Sequence, residues 1–117
     1  TALTMYEEMF GRDHGRLAFP LSRRAAARVA GGNEAGARQD LERAVVVIDR
    51  YDGPPLQPPR LRFELAKLLP PDQRERAEAL VADAREDLER ARTEAGPSLV
   101  AEVDALELEV DTWAAGR

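Results

Sequence analysis

The side chains able to do chemistry in this 117-residue chain are few and scattered. His14 is the only histidine and follows Asp13. An Asp–His pair can orient an imidazole as a base or help hold a metal ion, but either task needs a nucleophile or further ligands at matching spacing. None accompanies it: Ser22 and Ser98 are the only serines, and cysteine is absent. Asp13-His14 therefore reads as an inter-helix turn making local hydrogen bonds. The lack of cysteine excludes a disulfide scaffold, thiolate metal sites and thiol redox chemistry. Gly31-Gly32 is followed by Asn33 and no lysine, and no Gly-x-Gly-x-x-Gly occurs, so a phosphate cradle is not expected. The many acids recur at helical spacing, as on a solvated face, and the loops lack the alternating oxygen ligands of a calcium site. The expectation is no catalytic residue, no cofactor and no metal, hence no enzyme.

Composition narrows the class further. A third of the residues are charged and only 5% aromatic, with abundant Ala, Leu, Glu and Arg, which favours helices meeting through small contacts over a sheet-rich core. The longest strictly apolar run, Ala44 to Ile48, is far short of the roughly 20 residues that span a bilayer. No basic segment leads into an apolar stretch at the N-terminus. The reading is a cytoplasmic protein with no membrane partner. Net charge is −5, and the excess acid lies in residues 51–117, with nine basic and fifteen acidic side chains against eight and seven in residues 1–50. That balance argues against nucleic acid as a partner. Sixteen of the seventeen basic residues are arginine, which we read as GC-rich coding bias. Residues 11–30 hold five arginines against Asp13, while residues 93–116 hold six acids and no base, so the chain is polarised end to end.

Apolar recurrence at three and four residues marks the elements that must position these groups. Leu3, Tyr6 and Phe10 predict a helix over 2–11 that stops at Gly11. A helix from about Arg16 to Ala30 tolerates Pro20 in its first turn and ends at Gly31-Gly32. Asn33 caps a helix over 34–50, with Ala37, Leu41, Ala44, Val45 and Ile48 inward. The run Val45-Val46-Val47-Ile48 is the one strand-like alternative, and no second such run exists to pair with it. Residues 51–59 contain four prolines and a glycine and predict an ordered, extended connection with Leu56 packed back, or else a mobile surface loop. Beyond it come a short helix with Leu61, Leu65, Leu68 and Leu69 and a long one over 73–95, opened by a capping box at Asp72-Gln73-Arg74-Glu75. After Gly96-Pro97-Ser98, a last helix carries Leu99, Val103, Leu106, Val110 and Trp113 in a heptad-like stripe.

The two helix pairs share a pattern of large and small residues: Leu21, Ala25, Ala37, Leu41 and Ala44 in the first, Leu65, Ala66, Leu69, Ala77, Val81 and Ala84 in the second. Small residues let the two helices of a hairpin cross closely. This pattern resembles the tetratricopeptide repeat (TPR) family. Gly11-Arg12-Asp13-His14 resembles the loop of the longer, kinesin-light-chain-like repeats, and LAFPLSRRAAARVA resembles a first helix of that class. The stretch RFELAKLLPPDQRERAEALVADAREDLERA with the acidic helix after it is similar to the C-terminal repeats of large bacterial serine/threonine protein kinases and related signalling regulators. Arg24, Arg28 and Asp49 depart from the pattern. The two arginines either lay their aliphatic stems over the hairpin with the guanidinium groups in water, or meet an acidic partner.

The expected fold is therefore all-α: antiparallel hairpins stacked as a short TPR-like solenoid over residues 1–117, a fragment of a larger protein. Residues 2–11 would be the trailing helix of a preceding repeat, 16–50 the first hairpin, 51–59 the Pro-rich linker, 60–95 the second hairpin and 97–115 a capping helix. What the resemblance implies is a non-catalytic scaffold that binds a peptide or helix of another protein on its first helices. It directs Phe19, Ser22 and Ala26 of the first hairpin and Arg60, Phe63 and Lys67 of the second toward the ligand. The alternative is a self-association module, a homo-oligomer built on the 99–113 stripe and on Leu3, Tyr6 and Phe10.

Overall fold

The computed structural model describes residues 1–50 and 53–116, and among them every regular element is a helix. Six α-helices follow in order: α1 (Ala2–Phe10), α2 (Ala18–Ala30), α3 (Glu34–Val47), α4 (Gln57–Leu68), α5 (Arg74–Ala95) and α6 (Val100–Ala115). Short 3-10 turns precede α2, α5 and α6 and extend α3. The all-α expectation holds. The Val45–Ile48 run is helical, with Val47 and Ile48 buried and Val46 turned to water.

Two antiparallel pairs dominate the packing, α2 with α3 and α4 with α5, and α3 against α4 joins them. The turn between α2 and α3 is set by Gly32, whose φ of +83° only glycine adopts without strain, and by Asn33, whose side chain accepts from the Gly36 N–H at 3.0 Å. Small residues line both crossings. Ala25, Ala37 and Ala44 in the first pair and Ala66, Ala77 and Ala84 in the second are all buried, which lets the backbones approach and lets Leu21, Leu41, Leu65 and Leu88 interlock around them. Arg76 to Glu42 and Arg62 to Asp49 tie the pairs together at the surface. The molecule measures 37 × 35 × 22 Å, its thinnest dimension about two helix diameters, so the helices lie two deep.

Several boundaries differ from the sequence expectation, each for a local reason. The helix expected from 60 begins at Gln57, because Pro58 and Pro59 sit in its first turn, where no intrahelical N–H is needed. The linker thus shrinks to the segment before Gln57; of it, Tyr51 and Asp52 lie outside the described residues, while Leu56 packs against the core. The capping box does not form. Pro71–Gln73 makes a 3-10 turn, α5 starts at Arg74, and no side chain caps it. The 34–50 helix tightens into a 3-10 turn at Ile48–Arg50.

The 99–113 stripe is an internal seam. Val103, Leu106 and Val110 are fully buried, and Trp113 meets Phe63 edge-on at 5.9 Å. Those three side chains are taken up inside the chain, while Leu99 and Trp113 at its ends stay half-buried.

Candidate functional site

An apolar recess that also carries opposite charges runs between α2 and α4. Ala25, Ala26 and Val29 form its α2 wall, Leu41 lies at the floor, and Leu68 closes one end, while Ser22, Arg60, Glu64 and Lys67 supply polar groups around a volume of about 490 Å³. Lys67 also borders an adjoining recess of about 450 Å³ with Phe63, Leu108, Glu109, Thr112 and Trp113. Lys67 lines both, so α4 stands between a trough on its α2 side and a recess on its α6 side.

Local sequence makes the trough. Ala25 and Ala26 are too small to fill the gap between α2 and α4, and they leave the methyls of Val29 and Leu68 at its rim. Arg60, Glu64 and Lys67 recur at four and three residues along one stripe of α4. The Lys67 ammonium is 3.2 Å from Glu64 and 4.5 Å from the Phe63 ring centroid, and Arg60 reaches Glu109 at 3.8 Å. Both pairs are exposed and of the kind worth about 0–1 kcal/mol, so an incoming carboxylate can replace either acid at small cost.

Four of the six residues that the family resemblance directs toward a ligand, Ser22, Ala26, Arg60 and Lys67, meet in this trough. Phe63 lines the recess on the α6 side instead, 2% exposed under Lys67 and against Trp113. Phe19 is 49% exposed but belongs to a separate depression of about 560 Å³ with Tyr6, Met9, Phe10, Arg16, Pro54 and Gln57. Glu64 is the charged residue of the trough that the sequence reading passed over. Its signal was its place midway between Arg60 and Lys67 on the same helical stripe, with Phe63 on the side of that stripe facing α6.

Away from the trough the charges do structural work. Asp40, 2% exposed, accepts from Arg24 and Arg28, and this internal partner answers the departure of both arginines from the repeat pattern. The hydrogen bond to Asp40 raises the Arg24 pKa further above its ordinary value. In the second pair Asp87 is buried under Arg62 at 2.5 Å and Arg90 at 3.3 Å. Burial raises the Asp87 pKa, and the two arginines oppose that shift without cancelling it. Arg92 bridges α5 to α6 through Glu107 and Asp104, both at 2.7 Å, and these bonds raise its pKa. His14 serves a turn: its Nδ1 accepts from the Arg16 N–H at 3.0 Å, and its ring lies 5.0 Å from that of Phe10. No cluster of three or more acidic or histidine side chains gathers among the described residues, and no helix there is long and apolar enough to cross a membrane.

Comparison with family models, with curated proteins and with solved structures finds no match to this chain.

Proposed function

We propose that this chain is a non-catalytic, TPR-like scaffold that holds a short peptide or helix of another protein in the trough between α2 and α4. The observation that supports the reading is the trough itself, where an apolar wall from Ala25, Ala26 and Val29 shares one recess with the charged groups of Arg60 and Lys67. A ligand that fits combines an apolar side chain for the wall with a carboxylate for the two cations. Ser22, half-buried at the upper end, adds a hydroxyl for a backbone group. The resemblance to repeats of bacterial signalling kinases puts the module beside other domains in the cytoplasm, selecting a substrate or reporting a partner for them.

Selection from a displayed random-peptide library tests this without a known partner. Wild type should enrich peptides with a carboxylate next to an apolar residue. The charge reversals Arg60→Glu and Lys67→Glu, on exposed positions that leave the core intact, should turn the preference toward basic peptides. A library with no enrichment, or one whose preference is the same after the reversal, defeats the proposal.

A further inference from the structure

The depression that holds Phe19 lies at the head of the trough. On α2, Phe19 precedes Ser22 by three residues and Ala26 by seven; on α4, Gln57 precedes Arg60 by three and Glu64 by seven. Residues at these spacings share one face of a helix, so depression and trough follow each other along the same two faces, in the same order on both helices. From Phe19 to Ala26 is about 10 Å of helix. The walls of the depression come from α1, the start of α2 and the approach to α4, three segments that meet there.

Its lining suits one class of side chain. Of the three phenylalanines, two tyrosines and one tryptophan in the chain, Tyr6, Phe10 and Phe19 all open onto it, and none of the three is fully buried. The Tyr6 ring is tilted by 46° to Phe10 and by 41° to Phe19, with centroids 5.8 and 6.5 Å apart, so it stacks flat against neither. The Arg16 guanidinium lies 4.9 Å from the Phe10 centroid, and the exposed Met9 brings a thioether to the same recess. An incoming aromatic ring meets each of these groups in a favoured way: edge-to-face with the rings, cation–π with the guanidinium, sulfur–aromatic with the thioether. An aliphatic side chain gains burial alone. The Gln57 amide offers a donor and an acceptor to a ligand backbone beside it.

We infer that this depression is a second anchor point for the peptide of the trough and takes an aromatic side chain from it. The subsite has this role only if the trough holds a peptide, as proposed above, and it fixes the type and spacing of one more residue of that ligand. An extended chain advances about 3.3 Å per residue, so about three residues separate the aromatic from the apolar residue seated against Ala26. In a helical ligand, at about 1.5 Å per residue, about seven do. The aromatic stands at the end of the ligand nearest the starts of α2 and α4, and the carboxylate for Arg60 or Lys67 lies farther along the strip.

The displayed-library selection, followed by titration of one labelled selected peptide, tests the subsite. Wild type should enrich Phe, Tyr or Trp at one fixed distance from the carboxylate and its apolar neighbour. In fluorescence anisotropy, Phe19→Ala should weaken the selected peptide about tenfold and leave almost unchanged the same peptide with its aromatic residue replaced by alanine. If circular dichroism shows that Phe19→Ala has lost helix, Met9→Glu, at an exposed position, takes its place with the same expectation. Arg60→Glu combined with Lys67→Glu acts in the trough and should weaken both peptides. A library that enriches nothing, or peptides that bind the charge-reversed form as before, defeats the trough and the subsite with it. Carboxylate-and-apolar peptides without an aromatic at a fixed distance overturn the subsite and leave the trough standing. So does a Phe19→Ala or Met9→Glu effect that is absent, or equal for both peptides.

Discussion

Arg24 grips Asp40 across the first hairpin with both ends of its guanidinium: Nε lies 3.1 and 3.0 Å from the two carboxylate oxygens, and Nη2 lies 2.6 Å from Oδ1. Arg28 adds a bond of 3.0 Å to the same oxygen and one of 3.1 Å to the Gly36 carbonyl. A carboxylate buried in the α2–α3 crossing is thus satisfied by two arginines whose outer atoms remain in water. Truncating Asp40→Ala leaves Arg24 without this acceptor and Arg28 with the Gly36 carbonyl alone, and urea unfolding should show a loss of about 1–3 kcal/mol. Arg24→Ala should cost less in the Asp40→Ala background than in wild type, because the interaction is shared.

Asp40 also marks where sequence reading stops. Its neighbours Glu42 and Arg43 point outward, and an acid among charged residues on a helix reads as solvated; only the crossing with α2 shows that position 40 faces inward. Arg24 and Arg28 signalled something by departing from the repeat pattern, but the choice between water and an acidic partner needed the second helix in place. The helices themselves were legible from Leu, Ala and Val spacing and from Asn33 and Gly32, because those signals act within one segment. The early start of α4 was hidden by Pro58-Pro59, which break a helix in its middle and suit its first turn. Of the trough, Ser22, Ala26, Arg60 and Lys67 were named only through the family resemblance. The burial of Phe63 was not legible, since it depends on where α6 brings Trp113.

Gly36 tests that crossing from the other side. A Cβ built there comes within 2.5 Å of Asn33 Nδ2, 2.9 Å of its Cγ and 3.0 Å of Arg28 Cδ. Alanine is worth about 1 kcal/mol over glycine inside a helix, but here it displaces the Asn33 cap, itself worth about 1 kcal/mol, and disturbs Arg28. Gly36→Ala should therefore be destabilising. Combined with Asn33→Ala, which removes the two closest atoms and leaves only the flexible Arg28 Cδ to give way, the same change should become neutral or stabilising. A stabilising effect of Gly36→Ala alone in thermal unfolding contradicts the argument.

The raised Asp87 pKa fixes the sign of a pH effect. The folded chain binds the Asp87 proton more tightly than the unfolded chain, because burial opposes the carboxylate more than Arg62 and Arg90 favour it. The contribution of this group to stability is therefore complete below the ordinary carboxylate range and declines as pH rises through the higher folded value. Asp87→Asn has no proton to lose. The stability of wild type minus that of Asp87→Asn should fall as pH is raised from about 3 to about 6, with the other carboxylates cancelling in the difference. A difference that is flat or rises with pH shows that the ion pairs outweigh burial.

Trp113, the only tryptophan, reports the docking of α6 because its ring meets Phe63 of α4 edge-on at 85°. Leu106 lies fully buried midway along the seam, with Val103 and Val110 one turn to either side. Leu106→Ala removes a fully buried leucine side chain, and such cavities cost about 2–5 kcal/mol when the surroundings cannot collapse. Helix α6 is held on one side only, so the loss should be local: tryptophan emission shifts to longer wavelength and the α6 amides exchange faster, while those of α2–α5 keep most of their protection. The bridges from Arg92 and Arg85 are exposed and cannot hold the helix alone. If emission and the loss of helix signal instead move together at one urea midpoint, α6 unfolds with the rest, and the two hairpins and the last helix form a single cooperative unit.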